Sequence, residues 1–264
     1  MAVDLQIAKF FKPVVPKPIW DSGRLHYKHY ISRLRFALLW KRKRISTFDY
    51  QGQSFSFLIV DQDDVIQKVQ AAGSFYEQEE LKIIGSFFPP KGVFVDIGAN
   101  TGQHSVFAAK ILQARRIILF EPVWETCRIL RENIALNGLN EIADLSHLGI
   151  GLGDEETKVT YEIPAQNLGA TKLLSGGGRI PVRRGDDVLR DQPVDFIKID
   201  TEGYEIKVLN GLSSTIAKYR PDIFIEVDDN NIEEFKNILE KYDYRVELTY
   251  RRYDANENYL VRPN

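Results

Sequence analysis

Three short stretches carry residues whose types and spacing suit shared chemistry. The first is Val93 to Gly102, VFVDIGANTG, in which Asp96 closes an apolar run and Gly98, Asn100 and Gly102 follow at alternate positions. Glycine lets the backbone come close to a ligand, and the start of the next helix offers unpaired N–H groups. A pyrophosphate site would read G-x-G-x-x-G. Here the order is Asp96-x-Gly98-x-Asn100-x-Gly102, with a carboxylate ahead of the first glycine. A tight strand-to-helix turn without a ligand would use the same residues. The second stretch, Arg116 to Pro122 (RIILFEP), ends in Glu121. An acid about 20 residues beyond a glycine turn is where a ribose diol is gripped, since both its oxygens accept from hydroxyls. The third, Asp195 to Glu205 (DFIKIDTEGYE), gathers Asp200, Glu202 and Glu205 around Gly203. Acids so close repel one another, and each needs a cation, a donor or solvent.

The elements that must hold these residues can be read from the apolar pattern. Val93 to Asp96, Arg116 to Phe120 and Phe196 to Ile199 are short buried strands, each running into one of the acidic ends. Gln103 to Gln113 and Trp124 to Asn137 read as helices, the latter closed by Asn137-Gly138. Phe75-Tyr76-Glu77 opens a helix, Glu77 to Phe88, that stops at Pro89-Pro90, so Glu77 belongs near the mouth of the glycine corner. An acid in a first helical turn also suits the macrodipole. Ala143 to Leu148 reads as a third strand, with a thin Gly149, Gly151, Gly153 loop suited to passing an adenine ring. Lys158 to Ile163 and Ile180 to Arg184 form a hairpin around a loose glycine-rich segment able to cover a substrate. Pro221 to Val227 is a fifth strand carrying Glu226, and Tyr244 to Tyr250 with Asn258 to Arg262 closes the sheet. In such a sheet the first and fourth strand ends flank the topological switch point, where ligands bind.

The chain of 264 residues is 44% hydrophobic, enough for a sizeable core. One cysteine, Cys127, excludes an internal disulfide and falls on a predicted helix, where packing is its expected role. No apolar run reaches 18 residues and no signal-like segment opens the chain, so a cytoplasmic protein is expected. The net charge of −2 hides an asymmetry. Between Ser22 and Phe48 there are eight basic residues and no acids, while the remainder carries 27 basic against 37 acidic residues. Tyr27, Tyr30, Ile31, Leu34, Leu38 and Leu39 recur at helical spacing within that basic segment. Such a helix could lie on an anionic membrane surface, bind nucleic acid or dock on the acidic body. Ahead of it, Met1 to Asp21 is a proline-bearing arm; behind it, Ile45 to Tyr50 and Ser54 to Val60 alternate as a hairpin. The expected division is an N-terminal part, 1–72, and a second domain, 73–264.

With these residues assembled, the chain resembles the FkbM-type methyltransferases of the class I S-adenosylmethionine (SAM)-dependent superfamily. The resemblance rests on Phe94 to Gly102, Phe120-Glu121-Pro122, Asn133 to Asn137 ahead of Gly138, and Ile197 to Gly203 followed by Glu205. It covers about Phe75 to Val227, with Thr201 departing from the usual branched apolar residue. It implies an α/β, Rossmann-like seven-stranded sheet with helices on both faces, extended by the N-terminal helix and hairpin. It implies SAM as cofactor, held by Asp96, Gly98, Asn100, Gly102, Glu121 and Pro122, with Glu77 at its methionine end.

The reaction implied is O-methylation of a sugar, glycolipid or natural-product hydroxyl. A neutral alcohol is a poor nucleophile, so a base beside the attacking oxygen helps. Asp200 is the first candidate, with Glu202 or Glu226 second. Asp200 and Glu226 are alternatively a pair for a divalent metal, but no third ligand is evident beside them, and a metal-free base is expected. His104 and His147 are expected to be structural. Two other classes stay open, a nucleic-acid 2′-O-methyltransferase and a non-catalytic binding protein. The acidic core argues against nucleic acid, and the expected partners are a small-molecule or glycan acceptor and, through residues 22–48, an anionic membrane surface.

Overall fold

Every residue of Val93–Ile97 (β3) is buried, and the computed structural model places this strand near the middle of a seven-stranded sheet. The structure describes residues 33–162, 172–175 and 178–264. The N-terminal arm and the start of the basic segment lie outside them. The described part of that segment is helix α1 (33–40), followed by a turn, in which Leu34 and Leu38 are 45% and 66% exposed. Lys43 lies over the ring of Trp40, 4.7 Å from its centre.

A separate compact unit runs from Arg44 to Asn264. It opens with the expected hairpin, Arg44–Tyr50 (β1) and Gln53–Ile59 (β2), around the left-handed pair Gln51-Gly52. Phe55, Phe57 and Ile59 of β2 join the core below the large sheet. The compact unit therefore takes in the hairpin, whereas the division read from the sequence falls after residue 72. Asn133 explains the attachment: its Oδ1 accepts from Leu58 N at 2.7 Å and its Nδ2 donates to Thr101 O at 2.8 Å.

Helices Val65–Ala71 (α2) and Gln78–Phe87 (α3) lead into β3. Gln103–Lys110 (α4), Arg116–Phe120 (β4), Trp124–Leu136 (α5) and Ala143–Asp144 (β5) follow. After a side excursion come Gly185–Leu189 (α6), Phe196–Ile199 (β10), Glu205–Gly211 (α7), Ser213–Tyr219 (α8) and Asp222–Asp228 (β11). Ile232–Tyr242 (α9), Tyr244–Tyr250 (β12) and Asn256–Pro263 (β13) complete the chain. The sheet order is β12-β13-β11-β10-β3-β4-β5, with β13 the reversed strand, antiparallel to both β11 and β12. Alternate strand residues enter two cores. Val93, Val95 and Ile97 pack with α7, α8 and α9 on one face; Phe94 packs with α3, α4 and α5 on the other.

The third strand is shorter than expected. Asp144 Oδ1 accepts from Ser146 N at 3.1 Å and Ser146 Oγ at 2.6 Å, and this side-chain turn ends β5 after two residues. The glycine stretch that follows is a short strand rather than a loop. Gly151–Gly153 (β6) joins Thr157–Glu162 (β7), Lys172–Ser175 (β8) and Ile180–Arg184 (β9) in a second, four-stranded sheet. β7 and β9 pair antiparallel, as the hairpin pattern implies. The loose covering segment around Asn167 to Thr171 lies outside the described residues.

Candidate active site

β3 and β10 are parallel neighbours, and after them the chain leaves the sheet in opposite directions. Their ends form the switch point. Register pairs Lys198 with Asp96, so the two side chains emerge on the same face. Lys198 is 3% exposed; its Nζ donates to Gly98 O at 2.9 Å and lies 3.4 Å from Asp96 Oδ1 and 3.3 Å from Asp200 Oδ2. Burial works against its charge, but the carboxylates of Asp200, Asp96 and Glu77 outweigh it and hold the ammonium above its ordinary range. Asp96 is fully buried, and its other oxygen accepts from Ser105 Oγ at 2.7 Å. Read from the sequence as a cofactor contact, it sits instead behind the glycine loop and lines no part of the cleft.

The loop itself is stapled to β4, since Gly98 N and Ala99 N both donate to Phe120 O, at 3.0 and 2.9 Å. Gly98 is left-handed, with φ +77°. Asn100 also has positive φ, and its N–H donates to Glu121 Oε2 at 2.9 Å. Val123 N donates to Glu121 Oε1 at 2.8 Å. Both carboxylate oxygens are thus oriented by backbone, and each keeps a further lone pair. Burial pushes the Glu121 carboxyl up to about 7 despite the two N–H bonds. Glu121, Pro122, Gly98 and Asn100 line one compartment, with Ile150 and Gly151 opposite. Gly102 packs beneath the loop against Leu130 rather than facing the cleft. Cys127 is buried there, its thiol donating to Glu121 O at 3.0 Å.

A second compartment, a cavity of about 230 Å³, lies on the other side of Asn100. Glu77 and His104 line it, His104 Nε2 standing 3.9 Å from Glu77 Oε2. Burial, with the Lys198 charge, lowers the His104 pKa well below the ordinary value and keeps the imidazole neutral. Burial and the Asp200 carboxylate push Glu77 up to about 8. Asp200, Glu202 and Glu226 offer carboxylate oxygens that all lie within 4.8 Å of one another. Glu202 and Gly203 both hold positive φ, a tight left-handed turn directly after Asp200 and Thr201. Burial, then Asp200 and Glu202, push Glu226 up to about 9. Glu202, grouped with Asp200 in the sequence, is therefore also the third carboxylate that was not evident there beside the Asp200–Glu226 pair. Glu205 is apart from them, accepting from Asp228 N at 2.9 Å. His147 is likewise apart, stacked 4.9 Å from Phe120.

Several site residues escaped the sequence reading. Gln103 clamps Tyr76, accepting from its N–H at 2.8 Å and donating to its carbonyl at 2.7 Å. Tyr76 and Tyr253 share a hydroxyl–hydroxyl hydrogen bond at the cleft rim, and Asn256 lines the wall beside them. Arg252 lies over the Tyr76 ring at 4.8 Å and bonds both oxygens of Glu80, at 3.1 and 3.2 Å. A lone lysine inside the apolar strand FIKI was a readable signal of a buried partner. Nothing in the sequence ties Tyr253 to Tyr76, which lie 177 positions apart.

Residues 96–246 match the methyltransferase FkbM domain, more than half of the chain. The AMB antimetabolite synthetase AmbE of Pseudomonas aeruginosa is 24% identical over 68% of this chain, which spans only 11% of that protein. The hexuronic acid methyltransferase AglP of Haloferax volcanii is 21% identical, over 70% of this chain and 76% of its own. The solved structure of methyltransferase FkbM from Methylobacillus flagellatus KT is 19% identical, with a TM-score of 0.47, over 74% of this chain and 52% of that one. The chain belongs to the FkbM methyltransferase family.

Proposed function

We propose that the protein methylates a hydroxyl of a sugar, glycolipid or natural product, using SAM. One observation carries this reading: Asp200, Glu202 and Asn100 line both compartments, so whatever fills the two meets at these residues. The lining suits SAM. Glu121 has lone pairs for a ribose diol, Asn100 Oδ1 has no hydrogen-bond partner, and Glu77 is a counter-charge for an ammonium. Bound SAM supplies an electrophilic methyl on a sulfonium. Asp200 stands at the end of β10, its side chain 32% exposed and steadied by Lys198, and takes the proton of the attacking hydroxyl. His104, neutral and within the wall, completes the site beside Glu77. The hexuronic acid activity named for AglP supports a sugar as substrate.

Calorimetry with S-adenosylhomocysteine tests the cofactor. Wild type should bind, and Glu121→Ala should weaken binding by about 1.5–3 kcal/mol through lost charge-assisted bonds. Wild type that binds neither SAM nor its demethylated product would remove the reading. Asp200→Asn should bind SAM yet slow transfer by about two to four orders of magnitude. The spacing of the three carboxylates favours a second reading, in which they share a divalent cation. In that case chelator stops turnover and Mg²⁺ or Mn²⁺ restores it, and Glu226→Gln is as damaging as Asp200→Asn.

A further inference from the structure

The larger compartment is rich in oxygen-bearing side chains. Glu77, Asp200, Glu202 and Glu226 present carboxyl groups to it. Thr101, 1% exposed, and Asn256 also line it, and neither Thr101 Oγ1 nor Asn256 Oδ1 has a hydrogen-bond partner. Leaving such atoms unpaired is costly, so they call for polar partners from a ligand, a donor in the case of Asn256 Oδ1. Cations are scarce. Lys198 is the one lysine or arginine lining the compartment among the described residues, and it is already committed to Asp96, Asp200 and Gly98 O. Arg252 sits behind the rim, held by both oxygens of Glu80.

The rim adds a shape requirement. Tyr76 and Tyr253 are joined through their hydroxyls, and Gln103 holds the Tyr76 backbone in place. Arg252 stacks over both rings, at 4.8 and 5.6 Å. Tyr253 is 40% exposed, a large ring left open at the edge of a polar cleft. A braced aromatic surface next to unpaired polar atoms suits a ring that has an apolar flank and an edge of hydroxyls.

We propose that the methyl-accepting substrate is a non-anionic polyhydroxylated ring that rests on Tyr253 and Tyr76, donates to Asn256 Oδ1 and pairs with Thr101 Oγ1. Tyr253, Tyr76 and Asn256 are then its specificity-determining residues. Uronic acids and sugar phosphates are rejected, because an added negative group would face the acidic cluster around Asp200 and Glu202 with no uncommitted lysine or arginine in the lining among the described residues. This rests on the reading of the cleft as a methyl-transfer site, and it separates this protein from a relative named for a hexuronic acid.

The test uses the full chain saturated with S-adenosylhomocysteine. Saturation-transfer NMR is recorded with methyl α-D-glucopyranoside, methyl α-D-mannopyranoside, D-glucosamine, D-glucuronate and D-glucose 6-phosphate. At least one of the first three should bind, at least about tenfold tighter than either acidic probe. Tyr253→Ala should weaken that probe about fivefold or more while still binding S-adenosylhomocysteine. If Tyr253→Ala does not fold, Asn256→Ala carries the same comparison. Preference for glucuronate or the phosphate, binding of no non-anionic probe, or full probe affinity in the folded variant would overturn the proposal. Failure to bind S-adenosylhomocysteine in wild type would instead count against the methyl-transfer reading itself.

Discussion

No side chain can stand between Gly98 and Asp200: a Cβ on the glycine would meet the aspartate's carbonyl oxygen at 1.7 Å. The cofactor loop and the strand end that carries the candidate base are packed backbone to backbone. Gly98 also holds φ +77°, which L side chains rarely adopt. Gly98→Ala should therefore separate the two ends and disturb both compartments. We expect a loss of about 2–4 kcal/mol in denaturant melts and no measurable S-adenosylhomocysteine binding by calorimetry. Gly138→Ala, with φ +71° but no neighbour within 4 Å, should cost about 1 kcal/mol and spare binding.

Lys198 neutralises acids that the fold has buried. Lys198→Met should leave Asp96 uncompensated and destabilise the protein by about 3–5 kcal/mol. Lys198→Met combined with Asp96→Asn should recover a good part of that loss, because the remaining amide still accepts from Ser105. Urea titrations of the two single variants and the double variant measure the coupling. Additive losses would show that the pair does not act together.

Glu77 and Glu226 are pushed up to about 8 and about 9 by burial and neighbouring carboxylates. Between the ordinary carboxylate range and those values, the folded state keeps protons that the unfolded chain has released. Stability of the ligand-free protein should therefore fall as pH rises from about 5 to about 9. Glu226→Gln removes the titration and should flatten that decline, raising Tm at the alkaline end by about 2–4 °C per kcal/mol recovered. Scanning calorimetry across the pH series checks both slopes.

For the N-terminal segment we propose attachment to an anionic surface. Leu34 and Leu38 are exposed on a helix that also carries Arg33 and Arg35 and is followed by Lys41 to Arg44. Vesicles containing phosphatidylserine should retain the chain at low salt, each basic residue near the surface contributing roughly 1 kcal/mol. Removing residues 1–43 should abolish retention. Equal sedimentation of the truncated protein would refute the attachment.

The order of strands around the glycine corner was legible because buried strands ending in acids leave few alternatives. RIILF running into Glu121 and FIKI running into Asp200 each mark a strand and the end that carries the chemistry. Residue type, however, does not say what a carboxylate will face. Asp96, Glu121 and Asp200 read alike in sequence, yet one is sealed against Lys198 and Ser105, one is aimed by two backbone N–H groups, and one opens into the cleft. Register and the path of the neighbouring strand decide which. The turn at Asp144 that cuts β5 short was equally hidden, since a local side-chain bond competed with the strand pattern. The rim was beyond any local pattern: Tyr76 and Tyr253 meet because α3 enters the sheet beside the β12–β13 link, a contact between segments distant in the chain. The amino-acid sequence by itself determined the family, the sheet and the acids of the corner, all of them properties of short segments. Only the tertiary structure decided which acids share one cleft and what closes its edge, because both depend on contacts made after the sheet has formed.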